Sequence, residues 1–188
     1  MNRQANIQIE STCLITDLQQ VLDLQASNHR SNLNSKQQQQ NGFVTVKHDL
    51  ATLQKMTNYA PQIVAKDDDK VVGYALVMYR NLYNDIPVLI PMFNMLSKLS
   101  YEGKKLDDST YYVMGQVCVA DGYRGMGIFD QLYQKHRDSF SKQFEYCITE
   151  ISNNNIRSMK AHERVGFKTI HSFVDTTDQW NIVLWDWR

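Results

Sequence analysis

The feature that most constrains the fold of this chain is an apolar segment that runs into a glycine-rich turn. Residues 117–129 read VCVADGYRGMGIF. The first four residues predict a strand, and the residues after Gly127 predict a helix. Gly125 and Gly127 remove side chains from the turn, so several backbone N–H groups can point into one concavity. The helix adds unpaired amides and the positive end of its dipole. Such a turn is suited to bind phosphate or pyrophosphate, although a turn that merely requires glycine is an open alternative.

A second segment, residues 155–167 (NIRSMKAHERVGF), adds a polar helix face. Helical spacing places Asn155, Ser158 and His162 on one stripe, at i, i+3 and i+7. Gly166 supplies a helix end, and Phe167 begins the next strand. The stripe is suited to line a binding site.

Together, and in this order, the two segments resemble the acetyl-CoA-binding core of the GNAT superfamily of N-acetyltransferases. That family pairs a Gln/Arg-x-x-Gly-x-Gly/Ala pyrophosphate turn with a downstream Asn-x-x-(Ala/Ser)-x-x-Leu-Tyr-x-x-x-Gly-Phe helix, and the resemblance covers most of the chain. Two positions depart from the pattern. Gly122 stands where the family has Gln or Arg, although Arg124 lies just before Gly125. His162 replaces the tyrosine that protonates the departing CoA thiolate in many relatives.

The resemblance implies a fold and a place for acetyl-CoA. It implies a mixed α/β (α+β) domain with a mostly antiparallel central sheet, helices on both faces, and a central parallel strand pair that splays apart. Acetyl-CoA enters the gap between strands 111–120 and 146–151, where its pantetheine pairs with backbone groups of the first strand. The predicted cofactor-binding residues are Val117, Cys118, Val119, Arg124, Gly125, Met126, Gly127, Ile128, Asn155 and Ser158.

Three side chains are candidates for the chemistry. Glu150, near the end of the second central strand, is suited to deprotonate an amine directly or through water, or to hold a cationic acceptor; a surface carboxylate is the alternative. Gln116 lies on the first strand, on the face of Met114 and Cys118 by alternation, and is suited to orient a substrate. His162 is predicted to act as the acid toward the CoA sulfur or to hydrogen-bond near it, and packing or capping is its alternative role.

Composition narrows the class of protein. With 188 residues and 43% hydrophobic residues, the chain is long enough for one domain spanning 1–188 with a substantial core. Twenty basic and twenty acidic residues balance, so no nucleic-acid or membrane partner is predicted. Cys13, Cys118 and Cys147 are sparse and odd in number, which favours a reducing cytoplasm. No CxxC pair or histidine pair has metal-ligand spacing, so no metal is expected.

Residue patterns also predict the remaining elements. Residues 27–42 are predicted to be a mobile loop or loosely helical link, and residues 82–109 a loop leading into a short helix. Strands are predicted at 6–10, 62–66, 70–80, 111–120, 146–151, 167–174 and 180–187, with helices after Asp17 and at 49–56, 127–144 and 155–166.

The predicted function is direct transfer of the acetyl group of acetyl-CoA to a primary amine of a small molecule, amino acid or peptide, with a homodimer left open. A noncatalytic acyl-CoA-binding or sensor protein of the same fold is the alternative. A Rossmann-type nucleotide-binding module is less favoured, because Asp130 occupies the place of the third glycine and the 155–167 helix is left unexplained.

Overall fold

A computed structural model describes residues 5–188, apart from the side chain of Val88, as nine strands and six α-helices joined by turns and short 3₁₀ helices. The strands are β1 (Ile7–Thr12), β2 (Gln62–Asp67), β3 (Lys70–Met78), β4 (Ser100–Tyr101), β5 (Lys104–Lys105), β6 (Tyr111–Val119), β7 (Tyr146–Ser152), β8 (Lys168–Val174) and β9 (Gln179–Asp186). The helices are α1 (Ile15–Asn28), α2 (Ser35–Asn41), α3 (Leu50–Thr57), α4 (Ile90–Leu96), α5 (Ile128–Phe140) and α6 (Ile156–Val165).

Seven strands form one mixed sheet in the order β1-β2-β3-β6-β7-β9-β8, and β4 pairs with β5 in a separate hairpin. Neighbouring strands of the large sheet are antiparallel except for β6 and β7, which are parallel. The parallel pair is required because α5 crosses over between these two strands. The predicted mixed, mostly antiparallel sheet is confirmed, and the doubly wound parallel sheet of a Rossmann module is not what this chain forms.

The central parallel pair separates along its length. β6 and β7 pair only from Tyr111–Tyr146 to Val113–Ile148. Beyond that point residues 114–119 of β6 continue to pair with β3, and residues 149–152 of β7 continue to pair with β9. The carboxyl ends of the two strands therefore diverge, and each presents a strand edge to the gap between them.

A β-bulge in β6 changes which side chains share a face. Val77 pairs with Met114 whereas Ala75 pairs with Val117, so two residues of β6 lie opposite one residue of β3. Met114 consequently packs in the cluster on the α5 side of the sheet, while Cys118 packs in the cluster on the opposite side. The expectation that Met114, Gln116 and Cys118 share one face was wrong for Met114, because simple alternation does not survive a bulge.

Helices cover both faces of the sheet. On one face α1, α3 and α4 contribute Leu18, Leu53 and Phe93 to a hydrophobic cluster with β3 and β6. On the other face α5 contributes Leu132 and Tyr133 to a second cluster. Each apolar side chain buried in this way contributes about 1.5–3 kcal/mol relative to an exposed one. The sheet that contains the gap is therefore held between two packed layers.

Residues 27–42, predicted to be a mobile loop or a loosely helical link, contain the end of α1 and the short helix α2. α1 extends to Asn28, and α2 begins with a capping box in which Asn34 and Gln37 exchange hydrogen bonds.

None of the helices described here is both long and apolar enough to cross a membrane. Within residues 5–188, no group of three or more acidic, histidine or cysteine side chains is arranged to hold a metal ion.

Candidate active site

A cleft of about 530 Å³ opens where β6 and β7 diverge. The turn after β6, the start of α5, and α6 form its walls, and residues 41–44 lie along its side. Met126 is absent from the lining, and its side chain is 46% exposed on the turn. The other predicted cofactor-binding residues all line the cleft: Val117, Cys118, Val119, Arg124, Gly125, Gly127, Ile128, Asn155 and Ser158.

The glycine turn has the geometry of an anion site. Gly125 and Gly127 have φ values of +81° and +74°, a region that residues with a Cβ rarely adopt. No heavy atom lies within 4 Å of the position a Cβ would take on Gly125, so the space beside its backbone is open. Gly127 caps α5, whose first-turn amides have no partner within the helix. Backbone N–H groups and the helix dipole therefore converge on the cleft.

The free edge of β6 presents backbone groups to the same cleft. Ala120 N donates to Val72 O (2.8 Å), so the Val119 carbonyl of that peptide points the opposite way, toward the gap. Strand alternation also turns Val119 N–H and both polar groups of Val117 toward the gap. Arg124 Nε donates to Val119 O (3.2 Å). Three backbone groups of this edge are thus left for an extended ligand.

Arg124 also joins the turn to α1. Its Nη2 donates to Asn28 Oδ1 (2.6 Å), and its Nη1 lies 3.2 Å from Asp121 Oδ1. Only 16% of its side chain is exposed. The guanidinium lines the cleft but is held by protein acceptors, so backbone amides remain the main anion-binding groups of this turn.

A smaller cavity of about 70 Å³ adjoins the cleft, with Val117, Asn155 and Ser158 lining both. The three predicted catalytic residues meet here, although they come from β6, β7 and α6: Gln116, Glu150 and His162. The structure thus brings the two groups of predicted site residues into one continuous region.

Glu150 is a half-buried residue with one buried carboxyl oxygen that lacks a hydrogen-bond partner. Its Oε2 is inaccessible to solvent and has no partner among the described residues. Burial, together with the smaller effect of the negative charge of Asp175, raises the pKa of Glu150 to about 8. Burial also acts to raise the pKa of Asp175, but hydrogen bonds from Thr177 and Asp178 hold it at about 2. Asp175 is therefore an anion at neutral pH, while Glu150 is poised to exchange a proton.

Gln116 makes one hydrogen bond from each end of its amide. Its Oε1 accepts from the Tyr74 hydroxyl (2.6 Å), and its Nε2 donates to Val46 O (2.9 Å). Val46 belongs to residues 43–47, a segment without regular structure that crosses the gap and is called the strap below. The contacts of Gln116 position the strap over the small cavity and fix the orientation of its amide, which keeps one N–H and one acceptor lone pair.

His162 is 1% exposed and uses both ring nitrogens. Nδ1 lies 2.8 Å from the Ser158 carbonyl oxygen, which can only accept, so Nδ1 carries the proton. Nε2 then accepts from the Tyr133 hydroxyl (2.6 Å). Burial lowers the pKa of His162 to about 4, so the ring is neutral at pH 7. This geometry favours the packing role over the predicted acid role, because the single N–H is already donated.

Comparison with known proteins identifies the family. The profile of the Acetyltransferase (GNAT) family matches residues 19–167. The chain belongs to the GNAT acetyltransferase family. No curated protein sequence matches it significantly.

Solved GNAT-like structures share its fold. The ribosomal-protein-S18-alanine N-acetyltransferase from Escherichia coli is 13% identical with a TM-score of 0.63, over 96% of this chain and 94% of that one. The structure of yncA from Salmonella typhimurium with its cofactor acetyl-CoA is 13% identical with a TM-score of 0.63, over 98% and 95% of the chains. An N-acetyltransferase from Staphylococcus aureus is 16% identical with a TM-score of 0.63, over 98% and 100%. At these identities the likeness shows the fold alone.

Two parts of this GNAT site escaped the sequence analysis. The strap is fixed by Asn155, whose Nδ2 donates to Phe43 O (2.9 Å), by Gln116, and by backbone hydrogen bonds of Val44 with Asn28 and Arg30. No sequence signal marks it, because the residues that hold it lie in other segments of the chain. A second stripe of α6 also lines the cleft with Arg157 and Lys160. The i, i+3 spacing of Arg157 and Lys160 is visible in the sequence. From the sequence, the binding site was instead assigned to the neighbouring stripe of Asn155, Ser158 and His162.

Replacing His162 tests its role in this GNAT chain. We expect His162→Phe to lower the free energy of unfolding by about 1–3 kcal/mol, because the buried Tyr133 hydroxyl loses its acceptor. Turnover of the folded protein should stay within a few-fold of the parent. Thermal melts and initial rates measure the two effects, with Tyr133→Phe as a control that removes the same hydrogen bond from the other side. A stable phenylalanine variant that binds acetyl-CoA normally but has lost turnover would instead establish the acid role.

Proposed function

We propose that the chain is an acetyl-CoA-dependent N-acetyltransferase that acetylates a primary amine by direct transfer. The observation that carries the proposal is the partnerless oxygen of Glu150 in a cavity that adjoins a cleft suited to acetyl-CoA. Acid–base side chains of enzymes are commonly buried so that their pKa lies near the working pH.

Two sets of backbone groups in the cleft suit acetyl-CoA: the amides of the glycine turn and the edge of β6. The amides of the glycine turn and of the start of α5 suit a pyrophosphate, and a Cβ on Gly125 would enter the open space beside them. The exposed edge of β6 at Val117 and Val119 suits the amides of pantetheine, which can pair as a further strand. When bound, the cosubstrate supplies an acetyl thioester, whose carbonyl carbon an amine attacks while the carbon–sulfur bond breaks.

Glu150 would receive the proton of the amine, directly or through one water. It does so only as the carboxylate, which burial and Asp175 both disfavour. The departing sulfur needs no strong acid, because thiols ionise at a pKa near 8.5. The engagement of both His162 nitrogens is consistent with this route.

The shape and charge of the small cavity favour a compact amine. Leu89 and Met92 give it an apolar wall, and the strap crosses it. Asp175 supplies a fixed negative charge near Glu150, which attracts an acceptor that arrives as an ammonium ion. At about 70 Å³ the cavity has room for the amino end of an acceptor, and a bulkier group would require the strap to move. Cytoplasmic location and the absence of nucleic-acid and membrane partners stay predictions from the sequence.

Thiol release from acetyl-CoA across a panel of amines tests the proposal. The panel contains short alkylamines, amino acids, a polyamine and a short peptide, and calorimetry of acetyl-CoA runs in parallel. We expect binding of acetyl-CoA and amine-dependent release of thiol, fastest with a compact primary amine. Absence of acetyl-CoA binding would reject the proposal.

The alternative is a noncatalytic acyl-CoA-binding or sensor protein of the same fold. The observation that favours it is His162, which replaces the family tyrosine and whose single ring proton is donated to the Ser158 carbonyl. This alternative requires acetyl-CoA to bind while no amine in the panel accelerates thiol release above the rate without amine.

The raised pKa of Glu150 gives an expected pH dependence. The group must be ionised to accept a proton, so kcat/KM should rise with pH and level off above about 8. An acceptor amine with a pKa below 6 removes the titration of the substrate from the profile. Asp175→Asn, which removes the neighbouring anion, should shift the rise to lower pH. A profile that is flat between pH 6 and 9 would contradict the assignment.

A further inference from the structure

The large cleft has a basic wall that the transfer reaction does not use. Arg157, Lys160 and Arg164 occupy positions i, i+3 and i+7 of α6, so they share one helix face. All three line the cleft. They adjoin the stripe of Asn155, Ser158 and His162 on the same helix.

The charges on this wall are not all compensated. Arg164 pairs with Asp130 (2.6 Å), which is the one acidic side chain in the lining. Arg157 keeps its full charge, because its Nη1 donates to a neutral acceptor, the Gln40 carbonyl (2.6 Å). Lys160 makes no hydrogen bond or ion pair with any residue in the range 5–188. Two cations therefore face the cleft without a counter-charge, in a chain whose formal net charge is zero.

CoA carries more negative charge than the glycine turn can hold. Its pyrophosphate suits the turn, where backbone amides converge, but a separate monophosphate stands on the 3′ position of its ribose. The backbone groups on the edge of β6 suit the amides of an extended ligand, so they do not provide a site for this phosphate. An ammonium and a guanidinium are the side chains that best bind a phosphate monoester.

We propose that Arg157 and Lys160 bind the 3′-phosphate and make the protein selective for CoA over dephospho-CoA. The inference rests on the proposed function in so far as the cosubstrate must enter this cleft. Arg164 contributes less, because Asp130 neutralises it.

Calorimetry with CoA and with dephospho-CoA tests the selectivity without any turnover. We expect the parent to bind CoA about tenfold more tightly, in line with charged hydrogen bonds that are partly screened by solvent. Lys160→Ala should weaken CoA roughly 3- to 5-fold, and Arg157→Ala/Lys160→Ala should remove most of the preference. Dephospho-CoA should bind equally to all variants. Arg157→Lys, which keeps the charge, should keep most of the preference.

Lys142→Ala is the matched control, because Lys142 is exposed and lies outside the cleft lining. It should leave both affinities unchanged. Equal binding of the two ligands by the parent, or equal weakening of both by Lys160→Ala, would overturn the inference and leave the proposed function intact. Failure of the parent to bind either ligand would overturn both. Melting curves of each variant confirm that the compared proteins are folded.

Discussion

Glu150→Gln should lower turnover by about 10²–10⁴-fold, the loss typical of a positioned proton acceptor. The amide keeps the shape of the side chain but cannot take a proton from the amine. Acetyl-CoA affinity should barely change, because Glu150 lines the small cavity and not the large cleft. Initial rates at limiting acceptor, together with calorimetry of acetyl-CoA, separate the two effects.

Glu163→Gln is the control for this substitution. Glu163 is an exposed glutamate of α6 that lines neither cavity, so its replacement should leave the rate unchanged. A Glu150→Gln variant that turns over at the rate of the parent would reject the role of this carboxyl. The proton acceptor would then be sought in a chain of waters, since the carboxamide of Gln116 is not a base.

Gly125→Val should abolish tight binding of acetyl-CoA while the protein still folds. The Cβ would meet no protein atom within 4 Å, so its branches would project into the open space beside the amides of the turn. We expect affinity to fall by at least about 100-fold, because an added side chain excludes the anion from its donors. Calorimetry measures the loss. Arg124→Ala should do less, because the amides remain.

A glycine with the same backbone strain provides the comparison. Gly103 in the turn between β4 and β5 has φ +82° and also has open space at its Cβ position, but it lies outside the cleft lining. Gly103→Val should therefore cost a similar stability, of order 1–3 kcal/mol, without changing acetyl-CoA affinity. If Gly125→Val bound acetyl-CoA like the parent, the turn would not be the pyrophosphate site.

The sequence predicted those features that local chemistry determines. Gly125 and Gly127 adopt the left-handed backbone that only glycine takes easily, and the apolar run before them is a strand. Asn155 caps α6 by accepting from Ser158 N (3.3 Å), and Gly166 ends that helix with φ +119°. Each of these signals lies within a few residues of the structure it specifies.

Other features depend on contacts that no local pattern records. The bulge in β6 arises from the pairing of β6 with β3, a strand more than thirty residues earlier in the chain. Alternation alone therefore misplaced Met114. The β4–β5 hairpin inside residues 82–109 was not predicted, since two-residue strands carry too little pattern.

The candidate catalytic side chains show the same limit. Position and residue type selected Glu150 and His162, and both line the small cavity. Their different environments could not be read from the sequence. The hydrogen bonds of His162 come from Tyr133 on α5 and from its own helix, whereas Glu150 receives none at Oε2. The roles of the two residues diverge because of partners that only the tertiary structure supplies.

The burial of Glu150 links protein folding to proton uptake. Its pKa is about 8 in the folded chain against an ordinary value of 4.5, so between these pH values the native state holds a proton that the unfolded state has released. The contribution of this group to stability is therefore most favourable below about pH 4.5 and declines until about pH 8. In that range ionisation of Glu150 creates the proton acceptor and removes the contribution of this group to stability. Catalysis and folding therefore make opposite demands on a single carboxyl group.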